Sequence, residues 1–167
     1  LGDVHEFHLE EIFTEISNRD AAKVAFFAWL YGSRSAALHS EVTKLEMYYQ
    51  KDQLLEEYWD GNTVRTPFRK TIKDASRHHA LNYLIQSTAA ELTLKQAVKL
   101  EYLLRTQSQG SHIAFLIHDA VVIDMKKEDE DLLKSLVKLM SSTNFGKFMV
   151  NIKRGKTLGS MKDIQIG

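Results

Sequence analysis

The order of two residue periodicities limits the fold of this chain more than any other feature. Helical spacing of apolar residues dominates the first part, and residues 75–106, ASRHHALNYLIQSTAAELTLKQAVKLEYLLRT, read as one long helix. Only after it come two β-rich runs, HIAFLI and AVVIDM, on either side of His118-Asp119. Helices followed by strands, rather than alternating with them, predict an α+β fold.

An earlier helix carries its own start and stop signals. Ser17 resembles an N-cap with Asp20 three residues on, the helical pattern runs to about Tyr31, and Gly32 fits a stop. Periodicity and turn residues predict the remaining elements: a helix over 3–14, helical residues 33–59, a short hairpin after the Asp60-Gly61 turn, a helix from Glu128 to Met140, and a final strand at KFMVNIK.

Composition excludes several classes of function. The 167 residues include 22 basic and 22 acidic side chains, so a polyanionic partner must be held by a local basic surface. The absence of cysteine excludes a disulfide scaffold and a thiolate zinc site, and it fits a reducing compartment. Neither a membrane-length apolar run nor a signal peptide is found, so we expect a cytoplasmic protein with no membrane partner.

One stripe of side chains on the second helix combines cations with aromatics: Arg19, Lys23, Phe27 and Tyr31. Four helical residues turn about 400° and rise about 6 Å, so the stripe spirals slowly and its two cations can meet successive phosphates. The aromatics lie beyond, where a sugar and a base would stack. The alternative is an ordinary amphipathic helix whose aromatics are core and whose cations are solvated.

In the form R-x3-K-x3-F-x3-YG, this helix resembles the O-helix of family A, the DNA polymerase I-like DNA polymerases. Five other segments resemble motifs of that family in the same order. They are GDVH for the D-x-H motif, GNTVRTPFRK for the hairpin G-x-V-x-T-x-x-G-R, NYLIQSTAAEL for the helix N-x3-Q-G-T-A-A-D, LIHDAVVID for the V-H-D-E hairpin, and KRGKTLGSM for the C-terminal glycine–tryptophan element.

The resemblance implies a binding edge for an incoming deoxynucleoside triphosphate (dNTP). It places a phosphate-binding histidine at His5, the phosphate grip at Arg19 and Lys23, and the sugar and base contacts at Phe27 and Tyr31. In the family, phenylalanine rather than tyrosine at the position of Phe27 is associated with discrimination against nucleotides whose sugars lack the 3′-hydroxyl.

Primer–template contacts are implied on the long helix at Asn82 and Gln86. A glutamine amide suits base acceptors in the minor groove, which all base pairs share. The family's arginine four positions before this asparagine falls on His78, with Arg77 one earlier, and which of the two contacts DNA stays open.

His118-Asp119 is implied as the catalytic pair of the palm. Asp119 would be the carboxylate shared by two Mg²⁺ ions, and His118 would lie near the primer end. Without the resemblance, the same two residues read as a polar β-turn. The sequence departs from the family where Ala120 replaces glutamate, Ser87 replaces glycine, Leu158 replaces tryptophan, and the hairpin glycine before Arg69 is missing.

The implied architecture is a partial polymerase right hand. Residues 1–74 would be helical fingers, including the O-helix at 19–32, and residues 75–167 the C-terminal half of an antiparallel palm sheet with long helices packed on it. The implied activity is template-directed addition of dNTPs to a primer 3′-end in a bacterial or phage-infected cell.

Nothing here resembles the family's D-Y-S-Q-I-E strand, which carries the first catalytic aspartate, and the thumb is missing too. We therefore expect activity only with a second polypeptide that supplies the N-terminal palm and the thumb. A split gene, a cleaved polymerase and a fragment of a longer chain remain open. A second hypothesis, from another class of function, is a non-catalytic nucleic-acid-binding or assembly module derived from a polymerase. A third is an α+β domain whose motifs are coincidental.

Overall fold

The computed structural model describes residues 3–31 and 39–165. Within these ranges the α-helices are α1 (Val4–Glu11), α2 (Arg19–Leu30), α3 (His39–Tyr49), α4 (Lys51–Tyr58), α5 (Arg77–Gln107) and α6 (Leu133–Ser141). The strands are β1 (Val64–Arg65), β2 (Thr71–Ile72), β3 (His112–Ile117), β4 (Ala120–Asp124), β5 (Ser142–Thr143), β6 (Gly146–Lys147), β7 (Ile152–Arg154) and β8 (Lys162–Ile164). Two 3₁₀ turns, Lys127–Leu132 and Leu158–Ser160, complete the chain.

The chain divides into two compact units, one ending at Ala89 and the other beginning at Ala90. The division falls inside α5, whose residues belong partly to each unit. Each unit has its own apolar core.

Short helices at spaced apolar positions build the core of the unit that ends at Ala89. On α2 the buried positions Ala22, Ala25 and Trp29 are three and four residues apart, as one helix face requires. Trp29 stacks on Tyr49 of α3 with 5.3 Å between the ring centroids. The buried apolar residues of this core are Ile12, Phe13, Ala22, Ala25, Trp29, Leu30, Leu45, Leu55, Val64, Ala75, Ala80, Leu81 and Leu84.

The start of α2 differs by one residue from the prediction. Its N-cap is Asn18, not Ser17, and the Asn18 side chain accepts a hydrogen bond from the Ala21 amide at 2.9 Å. Asparagine caps helices at least as well as serine, so the two adjacent candidates could not be separated by residue type. The predicted stop at Gly32 lies outside the described residues.

The predicted helical stretch 33–59 is two helices where it is described. Gln50 adopts a left-handed conformation, with φ 50° and ψ 48°, and separates α3 from α4. Residues 33–38 of that prediction lie outside the described ranges. The short hairpin predicted after Asp60-Gly61 is confirmed by the antiparallel pairing of β1 with β2.

The unit that begins at Ala90 packs α5 and α6 around Leu100, Leu104 and Leu136. A buried amide supports this packing, since Gln96 Nε2 donates to the carbonyls of Leu139 at 2.6 Å and Ser142 at 2.7 Å. Gln96 thereby satisfies carbonyl groups at the end of α6 that the helix itself leaves without partners.

A buried carboxylate holds the loop that leads into β3. Asp129 accepts hydrogen bonds from the Gln109 amide at 2.7 Å and from the Ser111 hydroxyl at 2.6 Å. These hydrogen bonds, first among them the one from Ser111, lower the pKa of Asp129. The start of the β3–β4 hairpin is therefore fixed to the 3₁₀ turn by a charged group.

The α+β prediction is confirmed, but the sheets are smaller than expected. Residues 3–31 and 39–165 form four two-stranded antiparallel sheets and no larger one. The final strand predicted at KFMVNIK is wrong, because only its ends pair, in β6 and β7, and β8 follows later in the chain. The helix predicted from Glu128 begins as a 3₁₀ turn and becomes α-helical only at Leu133. The assignment of residues 1–74 to fingers and 75–167 to palm stays a prediction.

None of the helices formed by residues 3–31 and 39–165 combines the length and the apolarity needed to cross a membrane.

His8 lies fully buried among aromatic rings in the unit that ends at Ala89. Its Nε2 is 2.7 Å from the Tyr49 hydroxyl, and its ring stacks on Phe26 with 5.0 Å between centroids. Burial lowers the pKa of His8 from 6.5, the neighbouring His5 lowers it further, and Asp3 opposes both effects.

We expect the free energy of unfolding to fall as the pH drops below about 6.5, because the unfolded chain then binds a proton that buried His8 resists. Replacing His8→Phe should flatten this pH dependence, measured by urea denaturation between pH 7.5 and 5. His112→Gln, at an exposed histidine, should keep the full dependence. A His8→Phe profile as steep as that of the unchanged protein would contradict the assignment.

Candidate functional site

The stripe on α2 is separate from the buried face of the same helix. Arg19 and Lys23 are exposed, Phe27 is half-buried, and Tyr31 is 45% exposed, whereas Trp29 and Leu30 are core. The Phe27 and Tyr31 rings stack with 5.9 Å between centroids and 15° between planes. The alternative interpretation, that Phe27, Trp29, Leu30 and Tyr31 are all core, therefore holds for Trp29 and Leu30 and fails for Tyr31.

Asp3 joins the N-termini of α1 and α2. Its Oδ1 caps α1 by accepting hydrogen bonds from the His5 and Glu6 amides at 2.8 and 3.2 Å. Its Oδ2 accepts two from Arg19, from Nε at 3.1 Å and from Nη2 at 2.5 Å. The hydrogen bond from Arg19, ahead of the amide bonds, lowers the pKa of Asp3 to about 2.

His5 lies beside the stripe, packed against aromatic rings. Its centroid is 5.6 Å from that of Phe26 and 6.2 Å from that of Phe27. Burial lowers the pKa of His5, the charges of Arg19 and Lys23 lower it further, and Asp3 opposes them. His5 therefore lies next to the stripe, because Asp3 bonds both to its amide and to Arg19 and its ring lies beside that of Phe27.

Gln86, on α5, lies beside the Tyr31 end of the stripe. Its Nε2 lies 3.5 Å from the Tyr31 hydroxyl, at the long limit of a hydrogen bond. The side chain is exposed, and so its amide can reach a ligand. Six of the predicted residues thus lie along one edge: His5, Arg19, Lys23, Phe27, Tyr31 and Gln86.

The other predicted DNA contacts at the start of α5 differ in their availability. The Arg77 guanidinium is 2.6 Å from Asp52, so an intramolecular ion pair already occupies it. His78 is exposed and meets the ring of His79 edge-on at 4.7 Å. Asn82 is half-buried, and its Oδ1 has no hydrogen-bond partner among the described residues.

His118 and Asp119 form the two-residue turn between β3 and β4, where Ile117 pairs with Ala120. His118 has φ 51°, in the left-handed region that few non-glycine residues adopt, although histidine is among those enriched there. Both side chains are exposed at the tip. His118-Asp119 therefore form a polar turn, as one interpretation of the sequence expected. This turn is also compatible with the other interpretation, in which Asp119 binds a metal ion.

As a metal site, the hairpin tip is incomplete. No group of three or more histidine or carboxylate side chains able to hold a metal ion occurs among residues 3–31 and 39–165. Asp119 itself has neither a hydrogen bond nor an ion pair within those ranges, so its oxygens are available. The tip fits Mg²⁺ only as one carboxylate ligand of a site that other groups complete.

Sequence reasoning quoted Asp3 within GDVH but gave it no role, although it makes the most polar contacts along this edge. Its capping role had a local signal, since an aspartate just before a helical pattern favours an N-cap. Its ion pair with Arg19 had none, because the two residues are sixteen positions apart and meet only through the packing of α1 on α2.

Comparison with known proteins gives distant relatives of one kind. No model of a protein family matches the chain. The thermostable DNA polymerase I of Thermus filiformis is 26% identical in an alignment that covers 79% of this chain and 19% of that polymerase. The DNA polymerase I of Caldicellulosiruptor bescii is 25% identical, covering 81% and 20%, and that of Borreliella burgdorferi is 27% identical, covering 53% and 10%.

The chain thus spans about one fifth or less of the length of these curated relatives. The three similarities support a relationship to family A DNA polymerases.

The link between Asp3 and Arg19 can be tested by titration. We expect Arg19→Gln to raise the pKa of Asp3 from about 2 toward its ordinary value of 3.8, because the largest stabilising contact of the carboxylate is lost. Carboxyl ¹³C NMR measures this directly. Asp20→Asn, which removes the other carboxylate near Arg19 at 3.7 Å, should leave the pKa of Asp3 near 2. An unchanged pKa in Arg19→Gln would show that the pair does not form in solution.

Proposed function

We propose that this chain is part of a DNA-directed DNA polymerase that adds dNTPs to a primer 3′-end. Two observations support the proposal together. One is the edge that carries His5, Arg19, Lys23, Phe27 and Tyr31, with cations at one end and stacked aromatics at the other. The other is the similarity to three curated DNA polymerases I.

The proposed dNTP contacts follow from the chemistry of the edge. Asp3 holds the Nε and Nη2 side of Arg19, so a phosphate would approach at Nη1, where it would compete with the Asp20 carboxylate 3.7 Å away, and exposed Lys23 adds a positive charge one helical turn away. The stacked pair Phe27 and Tyr31 offers apolar faces to a sugar and a base. His5, whose lowered pKa favours the neutral imidazole, would act on the phosphates as a hydrogen-bond donor rather than as a cation.

DNA contacts are proposed at two places. Gln86 and Asn82 would approach the primer–template from α5, with Arg77 and His78 at the start of that helix. His118 would approach the primer end from the β3–β4 turn. Arg77 gives only its Nη2 to Asp52 in an exposed ion pair, so its other N–H groups can still reach a phosphate, and the choice between Arg77 and His78 at this end stays open.

Asp119 is the proposed metal ligand of this chain. Two Mg²⁺ ions, when bound, would supply charge stabilisation for the attacking and leaving oxygens of phosphoryl transfer. An exposed carboxylate that has no hydrogen bond or ion pair with residues 3–31 and 39–165 is suited to this coordination, but one carboxylate cannot hold two ions. Lys23, on the dNTP edge, would neutralise developing negative charge on the phosphates.

A second polypeptide with the N-terminal palm and the thumb is proposed to complete the enzyme. Phe115, Leu116 and Ile117 of β3 are about 40% exposed on a sheet of only two strands. Contiguous exposed apolar residues commonly mark an interaction surface. We therefore favour a heteromer, formed from a split or cleaved polymerase, over independent activity.

The alternative is a non-catalytic nucleic-acid-binding or assembly module derived from a polymerase. Retention of the cationic and aromatic edge favours the enzyme, because a module would not need to grip a nucleotide. Nucleotide affinity therefore separates the two.

Lys23→Ala should weaken dNTP binding by about 10- to 100-fold, since a hydrogen bond to a charged group contributes about 1.5–3 kcal/mol. Isothermal titration of the chain, with its co-purifying partner if one is found, measures the change. Lys134→Ala removes an exposed lysine from α6 and should leave the affinity unchanged. If the assembled complex has no dNTP affinity at all, the module is favoured.

Asp119→Asn should lower primer extension by the assembled enzyme at least about a hundredfold, because several kcal/mol of charge stabilisation depend on the metal ligand. Primer–template affinity should stay the same. Asp163→Asn, at an exposed aspartate of β8, is the matched control. Robust extension by this chain alone would refute the need for a second polypeptide.

A further inference from the structure

A surface depression between α5 and α6 carries two cations that have no role in the proposed function. It lies wholly within the unit that begins at Ala90. The residues that line it are Lys99, Ser135, Lys138, Leu139 and Ser142. Lys99 comes from α5, and the other four follow α6 at the spacing i, i+3, i+4 and i+7, which places them on one helix face. Two ammonium groups and two hydroxyl groups, with no acidic residue among the five, therefore surround one opening.

The buried amide of Gln96 orients one of these cations. Gln96 is only 2% exposed, and its Oε1 accepts a hydrogen bond from Lys99 Nζ at 2.8 Å. Its Nε2 is fixed on the carbonyls of Leu139 and Ser142, so the amide cannot turn away. An ammonium group has three N–H donors, of which Gln96 takes one. Lys99 is thus held at the depression with donors left for a ligand, which reduces the entropy that binding costs.

The end of α6 offers an ordinary reason for a lysine here. Lys138 lies in the last turn of α6, where a cation is favoured by the negative end of the helix. The Gln96 amide already satisfies two of the carbonyl groups at that end, however. Neither Lys99 nor Lys138 forms an ion pair with residues 3–31 and 39–165. The positive charge around the depression is therefore not neutralised within the part of the chain that is described.

The donors around the depression match a phosphate group. Lysine binds phosphate as a point charge, and hydroxyl groups add hydrogen bonds to the remaining oxygens. The hydroxyl groups of Ser135 and Ser142 form no hydrogen bond with residues 3–31 and 39–165. Two cations also suit phosphate better than a carboxylate, because a phosphate monoester carries about −1.5 to −2 charges at neutral pH.

We infer that the α5–α6 depression binds a phosphate group through Lys99 and Lys138, with hydrogen bonds from Ser135 and Ser142. Free phosphate and the backbone of a nucleic acid present the same oxygens, so the shared ligand chemistry is the phosphate group itself. The inference goes beyond the polymerase proposal and does not rest on it, since none of these residues belongs to the proposed dNTP edge or to the β3–β4 turn.

The test is a titration of the dilute complete chain with inorganic phosphate, followed by ¹H–¹⁵N NMR. Two exposed cations should give an affinity in the millimolar range. The backbone amides of Ser135 and Ser142 should shift and saturate. Sodium chloride at the same ionic strength should not reproduce these shifts, because screening alone does not fill a site.

Variants at exposed positions assign the binding to this depression. Lys99→Gln and Lys138→Gln should each weaken phosphate binding about fivefold, the upper range for an exposed ion pair. The double variant should weaken it about 25-fold, if the two effects add. Lys138→Arg keeps the charge and should keep most of the affinity. Lys127→Gln, at an exposed lysine on the 3₁₀ turn, is the matched control and should bind phosphate unchanged.

A short oligonucleotide without terminal phosphates separates the two sources of the phosphate group. Shifts of the Ser135 and Ser142 amides that the oligonucleotide causes, and that the double variant abolishes, would assign the depression to a nucleic-acid backbone. Shifts with inorganic phosphate alone would assign it to a small anion. Either result supports the inference.

No shift of the Ser135 and Ser142 amides with either ligand would overturn the inference, as would equal affinity in the double variant. Lys23→Ala, which tests the proposed dNTP edge, should leave the phosphate titration at these two amides unchanged. Phosphate binding at the depression without any dNTP affinity in the assembled complex would keep this inference and reject the polymerase function.

Discussion

The proposed nucleotide edge depends on one carboxylate shared by two helix N-termini. Asp3 caps α1 with one oxygen and holds Arg19 of α2 with the other, so His5 and Arg19 are fixed relative to each other. A phosphate that approaches Arg19 meets a guanidinium that is already oriented and partly neutralised. The edge should therefore prefer ligands with several negative charges, because a single weak anion gains little from a cation that Asp3 has satisfied.

Elements with strong local signals were predictable from the sequence, and elements that depend on pairing were not. The long helix and the two β-rich runs around His118-Asp119 match α5, β3 and β4 closely. The prediction of a strand at KFMVNIK failed because a single apolar run does not reveal where its partner strand lies, and β8 begins nine positions after the run ends. The break between α3 and α4 at Gln50 could not be predicted from the sequence, because glutamine is an ordinary helix former.

The candidate site shows the same division between local and distant information. Four-residue spacing on one helix was enough to place Arg19, Lys23, Phe27 and Tyr31 on a common stripe, because helix geometry alone fixes it. The contact between Tyr31 and Gln86 and the pairing of Arg77 with Asp52 bridge fifty-five and twenty-five positions. Such contacts arise from packing, so residue types alone could not predict which cations form intramolecular ion pairs.

The exposed apolar residues of β3 also affect how the isolated chain behaves. Among residues 3–31 and 39–165, β3 and β4 pair only with each other, and Phe115, Leu116 and Ile117 lie toward the tip of their hairpin. Open strand edges with apolar side chains are templates for strand addition between identical molecules. A preparation of this chain alone should therefore self-associate through this hairpin as its concentration rises.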